Sequence, residues 1–109
     1  MKNLLVIDPS PQAFMLICTL VLTSYQPLHA ETPVVADYAI RSEWPDVIVV
    51  DPLISPMDSA TVLVQECAAI APTVVWTAVS PAALPCCPCL IVVKQNTLRL
   101  AAWLEGHPP

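Results

Sequence analysis

Glycine is almost missing from this chain: Gly106 is the only one in 109 residues. Turns must therefore be built mostly from the 13 prolines and from Asp, Asn and Ser. Positive charge is also scarce. Four Lys and Arg stand against nine Asp and Glu, for a net charge of −5. No basic stripe is left to neutralise phosphates, which argues against a nucleic-acid partner. Membrane-length apolar runs are lacking too, since Ala13 to Leu22 is about half of the ~20 residues a span needs. An even, regular cysteine set is absent. Cys18, Cys67, Cys86, Cys87 and Cys89 are odd in number and unevenly spaced, a poor disulfide framework that points to a reducing, cytoplasmic setting.

What is present is apolar. Hydrophobic residues make up 56% and charged ones 12%, the reverse of a disordered chain. The length suits one domain over residues 1–109, with Gly106 to Pro109 as a loose tail. Leu28-His29-Ala30 loosely resembles a signal-peptidase site after an apolar run. Asp8, Pro9 and Pro11 interrupt that segment and Lys2 is its only early charge, so the expectation is a chain that is not secreted.

Val47 to Val50 is an unbroken run of β-branched residues ending in Asp51. With no polar face, it reads as a strand buried on both sides, as in a parallel sheet covered by helices. Leu4 to Ile7, Thr73 to Trp76 and Leu90 to Val93 read the same way, and Leu28 to Ala30 is a weaker second strand. Between them lie helix starts. Ser10-Pro11, Thr32-Pro33 and Ser80-Pro81 each put a hydroxyl at the cap and proline at the first helical position. The first helix is expected to run to Leu22 or Thr23, and the second to about Glu43 before Pro45. The third is expected from Ala60 to Ile70, capped by Asp58 or Ser59. Pro85 and Pro88 leave little more than a turn after Ser80, and Thr97 to Glu105 is the last helix, stopped by Gly106. Strands alternating with helices imply an α/β fold with a parallel five-stranded sheet.

Each strong strand is followed by a polar residue: Asp8, Asp51, Thr77 and Lys94. In open α/β sheets the carboxyl ends of the strands form the ligand-binding rim. Two carboxylates, a hydroxyl and an ammonium on one rim suit a hard cation and a phosphoryl group.

These residues carry a resemblance. LLVID (Leu4 to Asp8), PDVIVVD (Pro45 to Asp51), MDS (Met57 to Ser59), WTA (Trp76 to Ala78) and VVK (Val92 to Lys94) follow the order of a receiver (CheY-like) domain of two-component response regulators. The resemblance implies a flavodoxin-like, doubly wound sheet of order 2-1-3-4-5. It implies Asp51 as phosphoacceptor, Thr77 and Lys94 as phosphoryl contacts, and Mg²⁺ held by Asp8, Asp51 and the backbone carbonyl near Leu53. The implied partner is a histidine kinase or phosphotransfer protein, and the implied role is signalling in a phosphorelay, not enzymatic turnover. A homodimer or an effector protein is a further expected partner.

Departures from the pattern set limits. Pro9 stands where a second acid is usual, which weakens Mg²⁺ binding. Gln95 replaces the proline after the lysine, Ser59 the glycine after MD, and Ile91 the aromatic switch residue. The segment from Thr77 to Lys94 is short and carries three prolines, so the fourth helix is expected to be cut down. The alternative is a pseudo-receiver, a protein-interaction module that works without phosphorylation.

Simpler roles stand beside these. Asp51 could cap the loop after its strand, Asp8 the Ser10 helix, and Lys94 could merely neutralise both acids. Cys86-Cys87-Pro88-Cys89 has CxxC spacing but no second ligand pair, so a loop filler is expected there in preference to a metal or redox site. Trp44, Trp76 and Trp103 are expected to be core residues.

Overall fold

The computed structural model describes residues 2–21, 24–55, 57–84 and 87–106, with the backbone alone at 57 and 58. Among these residues lie five strands and four α-helices, with an α-helix after every strand except the fourth. They are β1 (Lys2–Ile7), α1 (Pro11–Val21), β2 (Tyr25–Ala30), α2 (Pro33–Ser42), β3 (Val47–Val50), α3 (Met57–Ile70), β4 (Thr73–Thr77), β5 (Leu90–Val93) and α4 (Thr97–Glu105). Single 3-10 turns follow β3 (Pro52–Ile54) and β4 (Pro81–Ala83).

All strand pairs are parallel, and the sheet order is β2-β1-β3-β4-β5. This is the doubly wound, flavodoxin-like topology. Period-2 alternation explains how both faces are filled. Leu5, Ile7, Ile48, Val50 and Val75 join one buried cluster with α2 and α3 residues such as Ala36, Ile40, Val64 and Cys67. Leu4, Val6, Val47, Val49, Val74, Trp76 and Val92 join the other, with Ala13 and Ile17 of α1 and Leu100 and Leu104 of α4.

Caps follow the sequence. Thr32 Oγ1 accepts from Val35 N with Pro33 behind it, Ser10 Oγ accepts from Ala13 N, and Asn96 Oδ1 accepts from Arg99 N.

Several boundaries differ from expectation. β2 begins at Tyr25, and Pro27 lies inside it. Proline lacks a ladder donor, but β2 pairs on one side only, so an edge strand accepts it. α3 starts at Met57, before the expected Ala60. β5 is the opposite edge, so Leu90 and Val93 are over a third exposed instead of buried on both sides. The expected short helix after Ser80 is a three-residue 3-10 turn, capped by Ser80 Oγ. Trp44 closes α2 with φ 49°, a left-handed residue exposed to 83%. Pro85, Cys86 and residues 107–109, on which the CxxC and tail expectations fell, lie outside the described residues, as does the side chain of Asp58.

Candidate functional site

The backbone ladder brings the four rim residues side by side. Asp8 N donates to Ala30 O at 3.0 Å, Asp51 N to Ile7 O at 2.8 Å, and Lys94 N to Thr77 O at 2.9 Å. Each bond carries the parallel pairing one residue past the strand. Alternation then fixes direction. The face that takes Leu4 and Val6 takes Asp8; that of Val47 and Val49 takes Asp51; that of Val92 takes Lys94.

Side chains converge accordingly. Lys94 Nζ lies 2.7 Å from Asp8 Oδ2 and 3.0 Å from Asp51 Oδ2. Thr77 Oγ1 donates to Asp51 Oδ1 at 2.8 Å, and Leu53 N donates to the same oxygen at 3.0 Å. Asp8 Oδ1 accepts from Ser10 N at 2.8 Å. Every carboxylate oxygen of the pair thus has a protein donor. Asp8, Asp51 and Thr77 are buried, while the Lys94 side chain is 23% exposed and marks the open side. One Asp8 oxygen accepts from the backbone at the entry to α1, and the other faces the Lys94 ammonium.

Electrostatics follows from this geometry. Burial pulls the Lys94 ammonium toward its neutral form. The hydrogen bonds and charges of Asp8 and Asp51 outweigh that, so its pKa is raised above the ordinary lysine value. Two buried acids sharing one ammonium leave a formal charge of −1 among these three side chains.

Two neighbours were not anticipated from sequence. His29 Nε2 lies 2.9 Å from Asp8 O, and a carbonyl only accepts, so Nε2 carries the proton. The imidazole stacks on Phe14 with centroids 4.4 Å apart. Lys94 Nζ stands 5.2 Å from the centroid of the Trp76 ring. A signal for the second contact was available: Trp76 sits one residue before the rim hydroxyl and Lys94 directly after the fifth strand, so both share one sheet face.

Cys18, Cys67, Cys87 and Cys89 are free thiols. Burial pushes the Cys67 thiol up to about 12, as expected of an inert core cysteine. No group of three His, Cys, Asp or Glu able to hold a metal ion occurs among the described residues. No helix among them is long and apolar enough to cross a membrane.

No family model matches the chain, and no curated protein matches it. Solved structures do. The signal receiver domain of a Luxo repressor protein from Vibrio parahaemolyticus superposes with TM-score 0.78 at 18% identity, covering 97% of this chain and 88% of that one. A response regulator receiver modulated diguanylate cyclase from Pelobacter carbinolicus gives TM-score 0.75 at 16% identity, covering 98% and 92%. Chemotaxis protein CheY4 of Vibrio cholerae gives 0.70 at 18% identity, covering 98% of both chains. The chain has the CheY-like receiver fold.

Proposed function

We propose that this chain is a receiver module of phosphorelay signalling in which Asp51 accepts a phosphoryl group from a histidine kinase or phosphotransfer protein. The observation that carries this reading is the meeting of Asp8, Thr77 and Lys94 around one buried carboxylate. In the proposed step a carboxylate oxygen of Asp51 attacks the phosphorus of a phosphohistidine in line. The P–N bond breaks, the pair returns to the imidazole, and an acyl phosphate remains on Asp51. Lys94 then pairs with a phosphoryl oxygen and Thr77 donates to another, which makes the protein's part positioning and charge stabilisation.

Magnesium is the cofactor this fold implies. The donors are hard oxygens, and Mg²⁺ is commonly held by one or two carboxylates with several waters. Asp8 and Asp51 approach the same ammonium, so their carboxylates are neighbours and fit such a site, a lean one with Pro9 beside it. Asp8, Asp51 and the Leu53 carbonyl would hold the ion. Bound there, it would neutralise charge on the transferring group.

A second reading, a pseudo-receiver working by protein contact alone, is favoured by one observation. Among the described residues the stretch after Thr77 forms a three-residue 3-10 turn, where the receiver pattern would have a full fourth helix. Exposed Met15 and Leu16 on α1 and Val34 and Tyr38 on α2 supply apolar surface for an effector or a second copy. Free thiols at Cys18, Cys87 and Cys89 support a cytoplasmic setting in either case.

Intact-mass measurement after incubation with acetyl phosphate and Mg²⁺ separates the two. A single added phosphoryl group, lost in Asp51→Asn, supports the acceptor. An unchanged mass with this donor and with a kinase phosphodonor supports the contact-only module.

A further inference from the structure

Trp76 presents a problem that its packing alone does not answer. The residue is 1% exposed, yet its Nε1–H finds no hydrogen-bond acceptor among the described residues. A buried donor without a partner is a cost that Phe at this position would not carry. What an indole offers beyond phenyl is a stronger electron-rich face for a cation, and Lys94 Nζ stands 5.2 Å from its centroid, within cation–π range.

The sheet sets this contact up. Trp76 pairs directly with Val92, and Lys94 comes two residues after Val92 on the same face. The lysine stem therefore leaves β5 toward the indole and turns its ammonium to Asp8 and Asp51. Among the described residues, Lys94 is also the only lysine or arginine that pairs with either acid. A four-carbon stem has many rotamers, and the Lys94 side chain is 23% exposed, so its position is not fixed by burial alone.

We propose that Trp76 is a positioning residue, whose indole face holds the Lys94 ammonium at the Asp8–Asp51 carboxylate pair. The role takes its purpose from the phosphoacceptor reading, because a pre-positioned ammonium meets the incoming phosphoryl oxygens without reorganisation. The contact itself does not depend on phosphate.

The test uses NMR of the full chain. In the wild type, ring current from the indole should move the Lys94 ε-methylene protons upfield of free lysine; resonances at ordinary positions would overturn the contact. The order of the Lys94 ammonium group, from 15N relaxation at neutral pH, is then compared in wild type, Trp76→Phe and Trp76→Leu. Its order parameter should fall in Trp76→Leu and by less in Trp76→Phe. Equal order parameters in folded variants overturn the proposal, and Trp76→Phe alone decides it if Trp76→Leu does not fold. Phosphoryl acceptance is measured on the same proteins. A wild type that accepts no phosphate defeats the acceptor reading and leaves the NMR result standing. A wild type and variants that accept it at one rate defeat the positioning role.

Discussion

Lys94 and Asp8 are joined across 2.7 Å, although the first begins after the last strand and the second after the first. Asp8 is almost fully removed from water, and its partner also serves Asp51 at 3.0 Å. Removing the ammonium strands two buried acids. Lys94→Met should therefore cost about 3–5 kcal/mol, the range for breaking a buried pair from one side. Asp8→Asn leaves Lys94 with Asp51 and should cost less, about 1–2 kcal/mol. Because the three groups share one network, the double variant should be more stable than the sum of the single changes allows. Urea unfolding of the three variants checks the order, and additive costs would show that the groups act separately.

Alkaline pH should unfold the protein earlier than ionisation of exposed groups alone would. Burial raises the Cys67 thiol from 9.0 to about 12. The unfolded chain ionises this thiol first, so its contribution is complete below pH 9 and is lost as pH climbs toward 12. The slope from this group is about 1.4 kcal/mol per pH unit. Lys94 is raised as well, so its contribution is complete below the ordinary lysine pKa of 10.5 and is lost above its folded value. Both act in one direction. Urea midpoints measured from pH 8 to 11 should fall steadily above 9, and Cys67→Ala should flatten that fall while lowering the plateau. An unchanged slope in the variant would remove Cys67 from the account.

The lone glycine and one tryptophan look exchanged in their backbone needs. Gly106 has φ −75°, and a Cβ there would come no closer than 3.4 Å to Trp103 O. Gly106→Ala should be neutral or stabilising by up to about 1 kcal/mol, since it narrows the unfolded ensemble. Trp44 is left-handed at 49° and 83% exposed, so it pays strain with little burial in return. Trp44→Gly should add about 0.5–1 kcal/mol, the left-handed penalty less the entropy of glycine. Thermal melts of both variants decide it, and a destabilised Trp44→Gly would mean the indole makes contacts worth more than the strain.

Legibility from sequence followed burial. Val47–Val50, Leu90–Val93 and Thr97–Glu105 have the bounds expected, because unbroken apolar runs and the stop at Gly106 leave no competing register. The topology came from the order of apolar runs together with a resemblance, and the cluster from the polar residue after each run. Edges were harder. Pro27 hid half of β2, since a proline weakens a strand reading unless the edge position is known. Polar Lys2 and Asn3 hid the start of β1 for a similar reason: Asn3 N bonds the Asp46 carboxylate, a contact 43 residues away that no local pattern signals. Trp76 was taken as core, which it is; its second neighbour, Lys94, depends on cross-strand register.

The position beside Asp8 offers the sharpest test of the proposed cation site. Pro9 is exposed, at the rim, and directly follows an acid whose two oxygens are engaged by Ser10 N and Lys94. Pro9→Asp would add a carboxylate without disturbing a strand, since β1 ends at Ile7. Ligand charge sets affinity for hard cations, so Mg²⁺ binding by calorimetry should tighten by on the order of tenfold. The added charge has no basic partner beyond Lys94, so without Mg²⁺ the variant should be less stable by about 1 kcal/mol, and saturating Mg²⁺ should recover that loss by binding the folded state alone. A variant that loses stability, binds Mg²⁺ no better than wild type and is not recovered by the ion would mean that Asp8 and Asp51 are held by Lys94 too firmly for any cation to enter. That outcome would turn the balance to the contact-only module, because the charge on a transferring phosphoryl group would then rest on Lys94 alone.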